Sequence, residues 1–111
     1  MNDFLPVPEH VGFAAKSLRS IPEALLQGGA LARLEPGGGG PVEPHRHEHA
    51  HLFIVTSGRI TIMMDGLEHP VPAHDSLLVP GGVLHAVWNR GSSPAEVVGL
   101  TLGDASMPPS P

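Results

Sequence analysis

Between residues 45 and 51 the chain reads His45-Arg46-His47-Glu48-His49-Ala50-His51, which places four of its eight histidines at alternate positions. Neutral imidazole is the commonest metal-binding side chain and suits zinc, copper, iron and nickel. The chemistry open to this run is therefore coordination of one divalent ion. A short histidine-rich tract is compositional evidence alone, and a solvated surface strand or core histidines satisfying their own hydrogen bonds would give the same pattern. A further histidine, His85, lies past a Pro80-Gly81-Gly82 turn.

Strand geometry divides the four. In an extended strand, residues two apart share a face at roughly 6.6 to 6.8 Å, a gap two rings close by converging on one ion. His45 and His47 meet that condition. His51 lies six residues beyond His45, about 20 Å along a straight strand, so it reaches the same ion only if the chain bends. A turn at Glu48-His49-Ala50 would start a new strand at His51 and leave His49 at the bend, the least suited of the four to be a ligand. Glu43, Glu48 and His49 read as solvated loop residues, so no general acid or base stands out.

The elements that must position these rings follow from composition and turn chemistry. A chain of 111 residues is one domain that buries roughly two-thirds of its unfolded surface. It has 41% apolar and 15% charged residues, with thirteen Pro and fourteen Gly, which points to many turns and an all-β fold. A net charge of -5 with six scattered Lys and Arg gives no basic stripe, so nucleic acid is not an expected partner. No basic n-region and no long apolar run mark a signal peptide or a membrane span, and the expected compartment is the cytoplasm. Zero cysteines exclude disulfides, thiolate ligands and a Cys nucleophile.

In chain order, residues 1–10 read as an extended arm that must cover something or stay loose. Val11 to Leu18 reads as a short strand, and Ile21 to Leu26 as a helical turn with Pro22 in its first position, stopped by Gly28-Gly29. Ala30 to Glu35 reads as a strand ended by Pro36 and a wide turn at Gly37 to Gly40. Leu52 to Thr56 and Arg59 to Met64 are β-branched runs separated by Ser57-Gly58, a tight hairpin signal. That hairpin would pair Val55 with Ile60, Phe53 with Ile62 and His51 with Met64, and its two apolar faces would need a second sheet or a partner subunit as cover. Asp65-Gly66 predicts a second hairpin into a strand from Leu67 to Val71. Pro72 to Asp75 turns again, Ser76 to Val79 reads as a short buried strand, and Pro80-Gly81-Gly82 bends sharply. Strands follow from His85 to Asn89 and, past the Arg90 to Pro94 loop, from Ala95 to Leu102. Strands at such spacing predict a sandwich or barrel over residues 11–103, followed by a Pro-rich flexible tail over 104–111.

The two motifs together carry a resemblance. Gly39, then His45 and His47 after five residues, His51 after three more and Gly58 after six match the first motif of the cupins, except that His51 stands where that motif has a Glu. Pro80, Gly82, His85 and Asn89 match the second motif, except that His74, just before Asp75, stands in place of its first Gly. The chain thus resembles a small single-domain cupin across residues 39–89. The resemblance implies a double-stranded β-helix, or jelly-roll barrel, holding one divalent transition metal (Fe, Ni, Mn, Zn or Cu) in its mouth through His45, His47, His51 and His85. Four neutral imidazoles leave the ion's +2 charge whole, where a carboxylate would lower it to about +1. Such a centre favours anionic ligands.

In the expected register Phe53, Val55, Ile60, Ile62 and Met64 share the face of His51 and would line an apolar pocket beside the ion. Trp88, opposite in parity to His85, would face away from it. The expected function is dioxygenase-like chemistry on a small anionic or chelating oxygenated molecule. The alternatives are isomerase or decarboxylase chemistry on a sugar or organic acid derivative, a non-catalytic metal or small-ligand binding module, and a barrel with a vestigial site. A homodimer is the expected assembly.

Overall fold

A computed structural model describes residues 4–17, 26–46 and 48–103 of the chain. Nine strands are present among them: β1 (Leu5–Pro6), β2 (Val11–Ser17), β3 (Leu26–His45), β4 (Ala50–Ser57), β5 (Arg59–Met64), β6 (Leu67–Pro72), β7 (Ser76–Val79), β8 (His85–Trp88) and β9 (Ala95–Leu102). Every pairing is antiparallel. No helix occurs among the described residues, hence none long and apolar enough to cross a membrane. Residues 21–25 of the predicted helical turn and the predicted tail over 104–111 lie outside the described residues, while Leu26 and the Gly28-Gly29 pair expected to stop that turn belong to β3.

The sheet order is β6-β5-β8-β3-β9-β4-β7, with β2 added on β3 and β1 on β2. This order closes most of a barrel because β3 belongs to two layers. Its first part, Leu26 to Leu34, pairs with β9, while Gly39, Gly40 and His45 pair with β8. Pro36, predicted to end a strand, and the Gly37 to Gly40 run, predicted as a wide turn, instead form the bend inside this twenty-residue strand. The glycines curve the strand without ending it.

Ser57-Gly58 is corrected in the same way. Strand β4 pairs with β7 and β9, and β5 pairs with β6 and β8, so the expected Val55–Ile60 hairpin does not form. The two residues are a corner that carries the chain from one layer to the other. Gly58 has a φ of 76°, and a Cβ there would meet the Pro94 carbonyl at 2.6 Å and the Ala95 Cα at 2.8 Å. A residue pair ending in Gly serves a tight hairpin and a tight corner equally, so local sequence does not separate them.

The second hairpin forms as the sequence predicts. Met64 pairs with Leu67, and both loop residues have positive φ, Asp65 at 48° and Gly66 at 81°, the type I′ signature. Between the layers lies the core, in which Leu34, Val55, Ile60, Ile62 and Val79 are fully buried. Strand β7 is half-buried rather than buried, since Val79 faces this core while Ser76 and Leu78 are exposed.

Candidate metal centre

Pairing brings the separated histidines together. In the β3–β8 ladder His45 stands opposite His85, and in the β4–β9 ladder His51 stands opposite Thr101. Between β3 and β4 the chain bends at Glu48-His49, where a turn was expected. Gly81, inside the turn that precedes His85, packs against this bend so closely that a Cβ would land on the Glu48 carbonyl. The two motifs are therefore fitted to each other through backbone. His45, His51 and His85 all line one cavity of about 430 Å³, together with Phe53, Thr101 and Val87.

Within this cavity His85 is the most confined ring, at 6% exposure. Its Nδ1 lies 3.0 Å from the Val83 carbonyl. A carbonyl only accepts, so Nδ1 carries the proton and donates, leaving Nε2 with the lone pair a metal needs. The His51 and His85 rings stand with centroids 5.5 Å apart at 50°. Two imidazoles bound through nitrogen at about 2.1 Å to one tetrahedral ion have centroids about 5.3 Å apart, so this pair is spaced for a shared ion. Phe53 lies against both rings, at 6.0 and 6.3 Å, and the Thr101 hydroxyl is 3.5 Å from the His51 Nδ1. His45 is half-exposed, with its Nε2 3.6 Å from the Glu9 carboxylate.

The remaining predicted residues fall elsewhere. His47 lies outside the described residues. Phe53 lines the cavity as expected, whereas Val55, Ile60 and Ile62 sit in the core with no exposure and Met64 packs against that core. For Ile60, Ile62 and Met64 the reason is the corner at Gly58, which sends β5 into the other layer; Val55 precedes that corner on β4 and is buried in the core. His49 is at the bend, and His74 occupies a turn with a φ of 72°. Trp88 lines a different cavity of about 320 Å³ with Arg90, whose guanidinium carbon is 5.8 Å from its ring centroid. Its parity relative to His85 foretells this separation.

Sequence reasoning missed His10 and Phe13, which line the histidine cavity with rings 4.5 Å apart. His10 Nδ1 donates to the Pro8 carbonyl at 2.8 Å, so its Nε2 also keeps a lone pair. The available signal was an arm with two prolines that had to cover something. Counting His10, four imidazoles and no Lys, Arg, Asp or Glu line the cavity among the described residues.

Among the described residues no three His, Asp or Glu side chains already close on a single point. What fits a metal is the donor chemistry: a histidine with its tautomer fixed by a carbonyl, a second at the spacing of a shared ion, and a third across the same cavity. Redox-active and Lewis-acidic divalent ions alike are held by such imidazole sets.

Known proteins share this architecture. A cupin-2 domain from Rhodospirillum rubrum superposes with a TM-score of 0.75 at 21% identity, over 98% of this chain and 74% of that one. A sugar phosphate isomerase of the cupin superfamily from Silicibacter pomeroyi gives 0.70 at 26% identity, over 83% of this chain and 60% of that one. The polyketide cyclase RemF from Streptomyces resistomycificus gives 0.73 at 18% identity, over 88% and 70%. The family model described as "Cupin domain" matches residues 30–101, which hold most of β3 and all of β4 to β8, nearly all of β9, both histidine motifs and every residue of the cavity lining but His10, Phe13 and Gly29. The chain is a member of the cupin family.

Proposed function

We propose that His45, His47, His51 and His85 hold one divalent transition metal and that the cavity beside it takes a small anionic or chelating oxygenated molecule for dioxygenase-like chemistry. The observation that carries this reading is that His45, His51 and His85, which come from three strands, line one cavity. When bound, the ion supplies Lewis acidity and open positions for substrate oxygen atoms.

The chain's own residues then have separable tasks. His85, fixed by the Val83 carbonyl, presents Nε2 in one tautomer. Phe53, packed on His51 and His85, keeps both rings in place and shields one side of the cavity from water. Phe13 and Val87 add apolar wall that selects against heavily hydrated ligands, and Thr101 and His10 offer polar atoms to a substrate. Isomerase chemistry on a sugar derivative is the second reading, favoured by the likeness to the Silicibacter pomeroyi protein. Fold alone does not choose between them.

Elemental analysis of protein purified without a histidine tag is the deciding measurement, followed by oxygen uptake with diketones and flavonols on iron-, nickel- and manganese-loaded protein. About one equivalent of metal and oxygen consumption are the expected results. Metal without oxygen uptake, but with turnover of sugar phosphates, would favour the isomerase; metal with neither would leave a binding module. Absence of metal affinity would overturn the proposal.

A further inference from the structure

The four-histidine set has no carboxylate because His51 stands where the motif has a Glu, yet the structure brings a carboxylate up to His45 from outside the cavity lining. The turn at Pro8-Glu9, with Glu9 at a φ of 67°, sets the Glu9 Oε1 3.6 Å from the His45 Nε2. That separation exceeds the roughly 2.7 to 3.2 Å of an N–H···O hydrogen bond. Two donors held at about 2.1 Å on one ion stand about 3.0 Å apart as octahedral neighbours and about 3.4 Å apart in a tetrahedron. The Glu9–His45 pair thus needs to close by only a few tenths of an ångström to share an ion.

The turn is fastened where this requires it. The Val42 N–H donates to the Glu9 carbonyl at 3.2 Å, the His10 N–H donates to the Val7 carbonyl at 3.2 Å, and the His10 ring donates to the Pro8 carbonyl. Upstream, β1 pairs with β2 at Leu5 and Pro6. The arm is therefore anchored to β3 three residues before His45, and His10 beside it lines the cavity. At 73% exposure the Glu9 side chain retains the freedom to swing onto a ligand.

We propose that Glu9 is a metal ligand, returning from the N-terminal arm the carboxylate that position 51 lacks. The inference rests on the metal reading above. It makes the arm part of the centre, lowers the ion's net charge toward +1, and couples metal binding to the seating of the arm.

The test uses the full chain without a tag, with Zn(II) and Co(II) as probes. Affinity is read by competition with a chelating dye, coordination by the visible absorption of the Co(II) form, and arm seating by limited proteolysis with and without Zn(II). Glu9→Gln is expected to weaken binding at least about tenfold, to alter the Co(II) bands and to abolish zinc protection of the arm. Glu43→Gln, which removes the same charge from an exposed position on β3, is expected to do none of these. Unchanged affinity and an unchanged Co(II) spectrum in Glu9→Gln would overturn the proposal and leave an exposed ion pair. Equal losses in both variants would overturn it too, as an effect of charge alone. Failure of the wild-type chain to take up either ion, or a His85→Gln variant that binds as tightly as wild type, would overturn the metal reading itself.

Discussion

His85 and Asn89 are neighbours in one motif with different work to do. His85→Gln keeps a polar side chain but removes the imidazole whose Nδ1 is tied to Val83, so metal affinity is expected to fall by more than about 100-fold; His74→Gln, at an exposed turn, is expected to leave it unchanged in the same chelator competition. Asn89 is 1% exposed. Its amide donates to the carbonyls of Leu34 and Ser93 at 2.9 and 2.8 Å, and its oxygen accepts from the Gly91 N–H at 2.9 Å. It closes the loop between β8 and β9 and ties that loop to β3. Asn89→Ala strands these buried groups and is expected to cost about 1 to 3 kcal/mol in urea denaturation, with zinc affinity retained in the folded fraction. The sequence made His45, His51 and His85 legible because motif spacing records which strand positions meet. It left His10 illegible, since nothing local connects an arm residue to a cavity built by strands far along the chain.

At the scale of elements, the positions of strands were readable and their partners were not. β-branched runs and Gly, Pro and Asp turns act over a few residues, so β5, β6, β8 and β9 fall close to where the letters place them. Pairing is decided by packing across the core. Ser57-Gly58 therefore reads as a hairpin and is a corner, and it carries Ile60, Ile62 and Met64 into or against the core and not into the cavity lining beside Phe53. Because Gly58 combines a φ of 76° with backbone at 2.6 to 2.8 Å from any Cβ, Gly58→Ala is expected to destabilise by about 1 to 3 kcal/mol, read as a shift of the urea midpoint without a change in slope. Gly28→Ala, where among the described residues no non-neighbouring atom lies within 4 Å of a Cβ, is the matched substitution and is expected to change stability by less than about 1 kcal/mol.

For the whole molecule, the two edge strands that end the main sheet path, β6 and β7, differ. β6 carries Pro70 and Pro72, which cannot donate to a further strand and so blunt that edge. The β7 edge has no proline, and exposed Leu78 lies on it. The homodimer expected from the sequence is thus expected to use the β7 edge; sedimentation of Leu78→Lys should show a smaller species than wild type, and an unchanged one would exclude that edge. The core gives a separate check on the architecture, since Leu34 is fully buried among residues of both layers. Leu34→Ala is expected to cost about 2 to 5 kcal/mol by thermal or urea unfolding.

The double membership of β3 also governs when the site can exist. Its first residues pair with the end of β9, Leu26 with Leu102, and β4 pairs with the same strand, Ala50 with Leu102. His45 and His51 are thus held by ladder partners 40 and 50 residues further on, His85 and Thr101, and contacts of such range close slowly, in milliseconds to seconds. A nascent chain would expose His45 and His51 long before β9 arrived to fix their spacing. Ordered coordination then belongs to a late stage of folding, and ions met earlier would find a flexible string of imidazoles rather than a shaped cage.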